Sequence, residues 1–193
     1  AGSSLTDEQN ANYAAGNSIF ALYRNAFQAL VAGADEMTML TSLCGVLGRY
    51  DGCIQARVAL LNDDDADTMR FVATSGVKKG LTDGGFACGL HFRIDGEGLA
   101  DSLPLSRVVA TGKPYVCELD NNVFIRRWFG KVKAKAACAI LPLSAGGHVL
   151  GIVIILSHKV EQFSDELLTI LGEIAAAAGK CLSLARRWHQ CAE

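Results

Sequence analysis

Eight consecutive residues, Val149–Leu156 (VLGIVIIL), carry no polar side chain, and a second apolar run, Ala136–Leu143, reaches them through the connection SAGGH. A helix that crosses a membrane needs about 20 apolar residues, so a run of eight is too short to span one. Its content of Ile and Val favours a strand. The pair therefore predicts a β-hairpin whose second strand is apolar on both faces, which places it in the interior of a sheet covered on both sides. Whatever else the chain does, it must supply two covers for that sheet.

One cover follows at once. Phe163 precedes a helix capped by Ser164, with Asp165 and Glu166 in its first turn, where acidic side chains favour the helix dipole. Leu167, Leu171, Ile174, Ala178, Cys181 and Ala185 recur at helical spacing, and Leu168, Leu182 and small alanines widen the stripe. At the other end a helix signal starts at Thr6, with Ile19, Tyr23, Ala26 and Leu30 on one stripe and Phe20 and Phe27 on a neighbouring one. A second helix, Asp35 to Gly48, buries Met37, Leu40, Leu43, Cys44 and Leu47.

Between these helices the period changes to two. Ile54, Ala56, Val58 and Leu60 alternate with Gln55 and Arg57, a second strand lies around Met69–Thr74, and the polar NDDDAD joins them, which predicts a hairpin with one partly wet face. Gly76–Gly98 is an irregular, glycine-rich cover with an apolar centre, FACGLHF. A short helix, Pro104–Thr111, is stopped by Gly112, and Pro114 opens a strand at Tyr115–Leu119.

The bulk properties exclude several classes. With 193 residues, 50% apolar and 20% charged, the chain suits one domain with a sizeable core. A net charge of −2 with scattered Lys and Arg gives no basic field for nucleic acid, and the densest group, Arg126–Lys135, reads as a solvated helix face. The seven cysteines contain no CxxC pair, which predicts reduced thiols in a cytoplasmic protein. No secretory signal opens the chain, and no membrane association is expected.

In order, SRVVATGKPYVCELD, the hairpin CAILPLSAGGHVLGIVIIL and FSDELLTILGEIAAAAGKCLSLA resemble the GAF domain family over roughly residues 35–186, carried by Gly112, Lys113, Pro114, Asp120, Pro142, Leu143 and Gly151. The resemblance implies an α+β fold: an antiparallel five- or six-stranded sheet, with the N- and C-terminal helices on one face and a ligand-pocket cover on the other. It implies a regulatory sensor and dimerisation module of a bacterial signal-transduction protein. Residues 1–33 would form a signalling helix with a tag-like remnant at 1–4, residues 34–186 the GAF-like domain, and 187–193 the start of a linker to an output domain.

The pocket expected from this resemblance is lined by Phe86, Cys88, His91, Phe92, Val108, Tyr115, Phe124, Trp128 and Cys138. A homodimer is expected through Ile19, Tyr23, Phe27, Leu30, Leu182 and Ala185. No cofactor is identified by the motifs. Within the family, His91 is a candidate haem ligand, and Cys88 in FACGLH loosely matches the free methionine sulfoxide reductases. The cysteine directly followed by histidine that holds a bilin is missing, and His158 replaces the asparagine of cyclic-nucleotide binders.

Overall fold

The computed structural model describes residues 7–65, 67–76, 91–93, 104–118, 136–158 and 160–191. Helix α1 (Asp7–Ala32) and helix α2 (Glu36–Gly48) precede strands β1 (Cys53–Leu61), β2 (Thr68–Ser75) and β3 (His91–Arg93). Helix α3 (Pro104–Thr111), strands β4 (Tyr115–Glu118), β5 (Ala137–Ala145) and β6 (His148–Ser157), and helix α4 (Asp165–Cys191) complete the order. The six strands form one antiparallel sheet, β3-β2-β1-β6-β5-β4.

The apolar hairpin takes the central position its composition demands. β6 pairs with β5 on one side and β1 on the other, and Gly151 through Ser157 are all buried. Gly146 and Gly147 turn the hairpin with φ of 59° and 83°, the positive pair a two-residue turn needs to match strand twist. Local signals set the helix ends. Asp35 accepts from Thr38 N at 2.8 Å, and Ser164 Oγ accepts from Leu167 N at 3.2 Å. Gly112, at φ 63°, ends α3 by donating its N–H to Val108 O at 2.8 Å.

Helices α1, α2 and α4 share one face of the sheet. Leu22, Ala26 and Leu30 of α1, Leu40, Leu43 and Leu47 of α2, and Leu167, Leu171, Ile174 and Ala178 of α4 meet Val58, Leu141, Val153 and Ile155 there. The Cys44 thiol donates to Ala56 O at 3.3 Å, fastening α2 to β1. By length and composition α4 could cross a membrane, yet its apolar stripe lies against the sheet.

Three expectations are corrected. Met39, not Met37, completes the α2 stripe, because Met37 falls on the outer side and is 45% exposed. Leu30 and Leu182 are buried in the subunit's own core, so neither is available to a partner. The face of β1 expected to be partly wet is dry: Gln55 is 0% and Arg57 1% exposed. A register shift between Cys53 and Gln55 in the β1–β6 ladder also moves Ile54 to the face opposite Ala56, Val58 and Leu60.

α4 approaches β5 so closely that a Cβ on Gly179 would lie 2.4 Å from both Ser144 N and Ser144 O, whereas one on Gly172 meets nothing within 4 Å. Two identical substitutions on one helix should therefore act in opposite directions in urea unfolding. Gly172→Ala should stabilise by about 0.5–1 kcal/mol through helix propensity. Gly179→Ala should instead destabilise by about 1–3 kcal/mol, since the clash is with backbone and cannot be relieved by a rotamer change.

Candidate functional site

The face of the sheet away from the three long helices carries a second apolar floor. Ile54 and Ala59 of β1, Met69 and Phe71 of β2, Cys138 and Ile140 of β5, and Ile152, Ile154 and Leu156 of β6 form it. α3 lies on this floor through Leu105 and Val108, and it is the only helix there among the described residues.

One full positive charge is set into that floor. The Arg57 guanidinium lies 5.4 Å from the centre of the Phe71 ring, and in the ladders Arg57 faces Thr74 of β2 and Ile154 of β6. Cation–π attraction is strengthened where water is excluded. Beside it, Gln55 Nε2 donates to Thr74 Oγ1 at 3.4 Å, while Gln55 Oε1 is buried and accepts no hydrogen bond among the described residues. Burying a guanidinium costs several kcal/mol in desolvation, and an apolar side chain of similar length would fill the space more favourably.

Along the β4–β5 edge the same face carries a pair of thiols. Cys117 and Cys138 are direct partners in the ladder; Cys138 is fully buried and Cys117 half-buried against the same cluster. The hydrogen bond with Cys138 holds the Cys117 thiol below its ordinary pKa, outweighing burial, which acts the other way. Burial, then the hydrogen bond with Cys117 and its charge, push Cys138 well up. Two strand positions away, Arg107 of α3 places its guanidinium 5.6 Å from the Tyr115 ring.

Of the nine residues expected to line a pocket, the structure brings Val108, Tyr115 and Cys138 to this face. His91 and Phe92 stand in the edge strand β3, opposite Arg70 and Met69 in register, rather than in an irregular cover. Phe86, Cys88, Phe124 and Trp128 lie outside the described residues. Sequence reasoning missed Arg57, Gln55 and Cys117. The signal for Arg57 was present as a charge inside an otherwise apolar strand, but alternation alone assigns such a charge to solvent.

The helix side holds an open cleft of about 250 Å³ between α1 and the end of α2, lined by Leu22, Asn25, Val46, Arg49 and Tyr50, and a much smaller cavity beneath it. That cavity, of about 20 Å³ between Leu22, Leu47, Tyr50, Ile155, Phe163 and Leu167, holds one water at most.

This fold and site define a sensory and regulatory α+β module. The model of the GAF domain matches residues 26–183, and the chain belongs to that family. No curated protein matches it in sequence. Among solved structures, the GAF domain of a phosphoenolpyruvate-protein phosphotransferase from Coxiella burnetii is similar at 17% identity and a TM-score of 0.69, covering 90% of this chain and 97% of that one. The free methionine-R-sulfoxide reductase of Neisseria meningitidis, in complex with its substrate, is similar at 18% identity and a TM-score of 0.64, covering 86% and 90%. A phycoerythrobilin-bound GAF domain from a cyanobacterial phytochrome is similar at 11% identity and a TM-score of 0.65, covering 89% and 97%.

The two thiols should differ in reactivity. In the native protein iodoacetamide should label Cys117 ahead of Cys138 and the buried Cys44, with the rate rising at lower pH than for a free cysteine. Cys138→Ala should move that pH profile upward by removing the thiolate's hydrogen bond. Mass mapping of tryptic peptides across a pH series checks both outcomes.

Proposed function

We propose that this GAF domain is the sensor module of a bacterial signal-transduction protein, and that it binds a small molecule bearing a carboxylate, phosphate or carbonyl group on the sheet face that holds Arg57. The observation that carries the reading is the buried acceptor Gln55 Oε1, without a hydrogen bond among the described residues, beside a buried guanidinium in an apolar floor. A ligand donor complements the acceptor, and the positive field of the guanidinium favours an anionic or carbonyl oxygen near it. Two of the similar structures hold a small molecule, one a substrate and the other a bilin, which supports a binding role for the fold. The role is regulatory rather than catalytic, and the cytoplasm is the compartment that fits it.

The test is a thermal-shift screen with a panel of carboxylate- and phosphate-bearing metabolites alongside neutral analogues. The wild type should gain several degrees with an anionic compound, and Arg57→Met, which retains the apolar stem, should keep its fold by circular dichroism and lose the gain. An unchanged shift in Arg57→Met would remove Arg57 from the site. Turnover of free methionine sulfoxide with a thiol reductant would replace the sensor reading with an enzymatic one.

A second reading, compatible with the first, is assembly through the long helices. Phe20 and Val31 on α1 and Leu184 and Trp188 on α4 are 79%, 83%, 50% and 76% exposed. Phe20, Phe27 and Val31 lie on one helical stripe, as do Cys181, Leu184 and Trp188, a spacing suited to a bundle with a second copy. These exposed residues, with the half-buried Ile19, Tyr23, Phe27 and Ala185, replace Leu30 and Leu182 as the contact surface. Phe20→Glu combined with Trp188→Glu should convert a dimer to a monomer in sedimentation equilibrium without altering the melting transition's cooperativity.

A further inference from the structure

β4 is an edge strand of only four residues, and a cysteine on it stands directly across from a cysteine on β5. Directly opposed residues in an antiparallel ladder have Cα atoms roughly 4.5–5.5 Å apart, with side chains on one side of the sheet. A disulfide requires a Cα separation of about 4.4–6.8 Å, so this position meets the requirement without moving either strand. Both side chains join the same apolar cluster, and Cys117 is the more exposed of the two. Cys44, Cys53 and Cys181 lie on the helix side, on the far face of the sheet from this pair.

We infer that Cys117 and Cys138 form a reversible dithiol–disulfide site, with Cys117 as the thiol that meets a hydroperoxide and Cys138 as the one that resolves it. The Cys117 thiolate attacks the terminal peroxide oxygen. An S–O bond forms, the O–O bond breaks, and the alcohol or water leaves with a proton, giving the sulfenic acid. Cys138 sulfur then attacks Cys117 sulfur; the S–S bond forms, the S–O bond breaks, and hydroxide departs as water with the Cys138 proton. Two thiols are oxidised and one peroxide is reduced. The hydrogen bond between the two thiols, which favours the Cys117 thiolate, fits this division of roles. The disulfide would fasten the sheet edge that follows α3. This site stands apart from the Arg57 reading and does not depend on it.

The probe is hydrogen peroxide. The reduced protein is treated, alkylated and mapped by mass spectrometry. One cross-linked peptide pair, Cys117 to Cys138, two hydrogens lighter than the sum of its parts and separated by dithiothreitol, is the expected result. In Cys138→Ala, dimedone should capture the Cys117 sulfenic acid about tenfold more than in the wild type, where resolution removes it. Should that variant not fold, the wild-type map decides alone. Both cysteines still alkylated after peroxide, Cys117 advancing to the sulfinic acid unlinked, or Cys117 linked to a different cysteine would each overturn the proposal.

Discussion

The pairing of β6 with β1 and β5 is the constraint on which everything else rests. An eight-residue run without a polar side chain can be buried only if both of its faces are covered and both of its edges hydrogen-bonded. The solution gives two unequal sides. Three long helices press on one, where Val153 and Ile155 project, and Ile152, Ile154 and Leu156 underlie the floor on the other. The alternation along one strand thus separates the side packed by three helices from the side that carries α3 and Arg57.

That division explains why Arg57 belongs to the second side. Arg57 would be a liability in the helix-packed core, where apolar contacts supply the stability, whereas a thiol is tolerated on either side, as Cys44 shows. On the floor Arg57 and the Cys117–Cys138 pair are compatible with the fold because β1 and β5 are held in place by their pairing with β6, whatever chemistry their side chains carry. Stability is concentrated on one face, so the other is free to carry groups that cost energy to bury.

Much of the fold was legible in the sequence because its signals are local. The double glycine of SAGGH fixes a two-residue turn, Pro104 and Gly112 bracket α3, and Ser164 with Asp165 and Glu166 marks the start of α4. The site was less legible because its features are non-local. The shift beside Gln55 depends on how β1 pairs with β6, not on β1 itself, and it puts Ile54 out of step with a simple alternation. Register also sets Cys117 against Cys138, residues 21 positions apart on strands whose separate patterns contain no reference to one another. Arg57 looked solvated for the same reason: alternation distinguishes two faces but does not say that both are covered.

Arg186, late in α4, reaches Glu36 at 3.2 and 3.3 Å and Asp63 at 3.1 Å. Glu36 opens α2, and Asp63 sits at the tip between β1 and β2, so three segments remote in sequence meet at one guanidinium. Ion pairs at this exposure are each worth about 0–1 kcal/mol, too little to hold the domain together. They act on orientation instead. The heading of the terminal helix is moored to the tip of the strand that bears Arg57, along a polar outer route that bypasses the apolar interior, and its stiffness is therefore a quantity that ionic strength can tune.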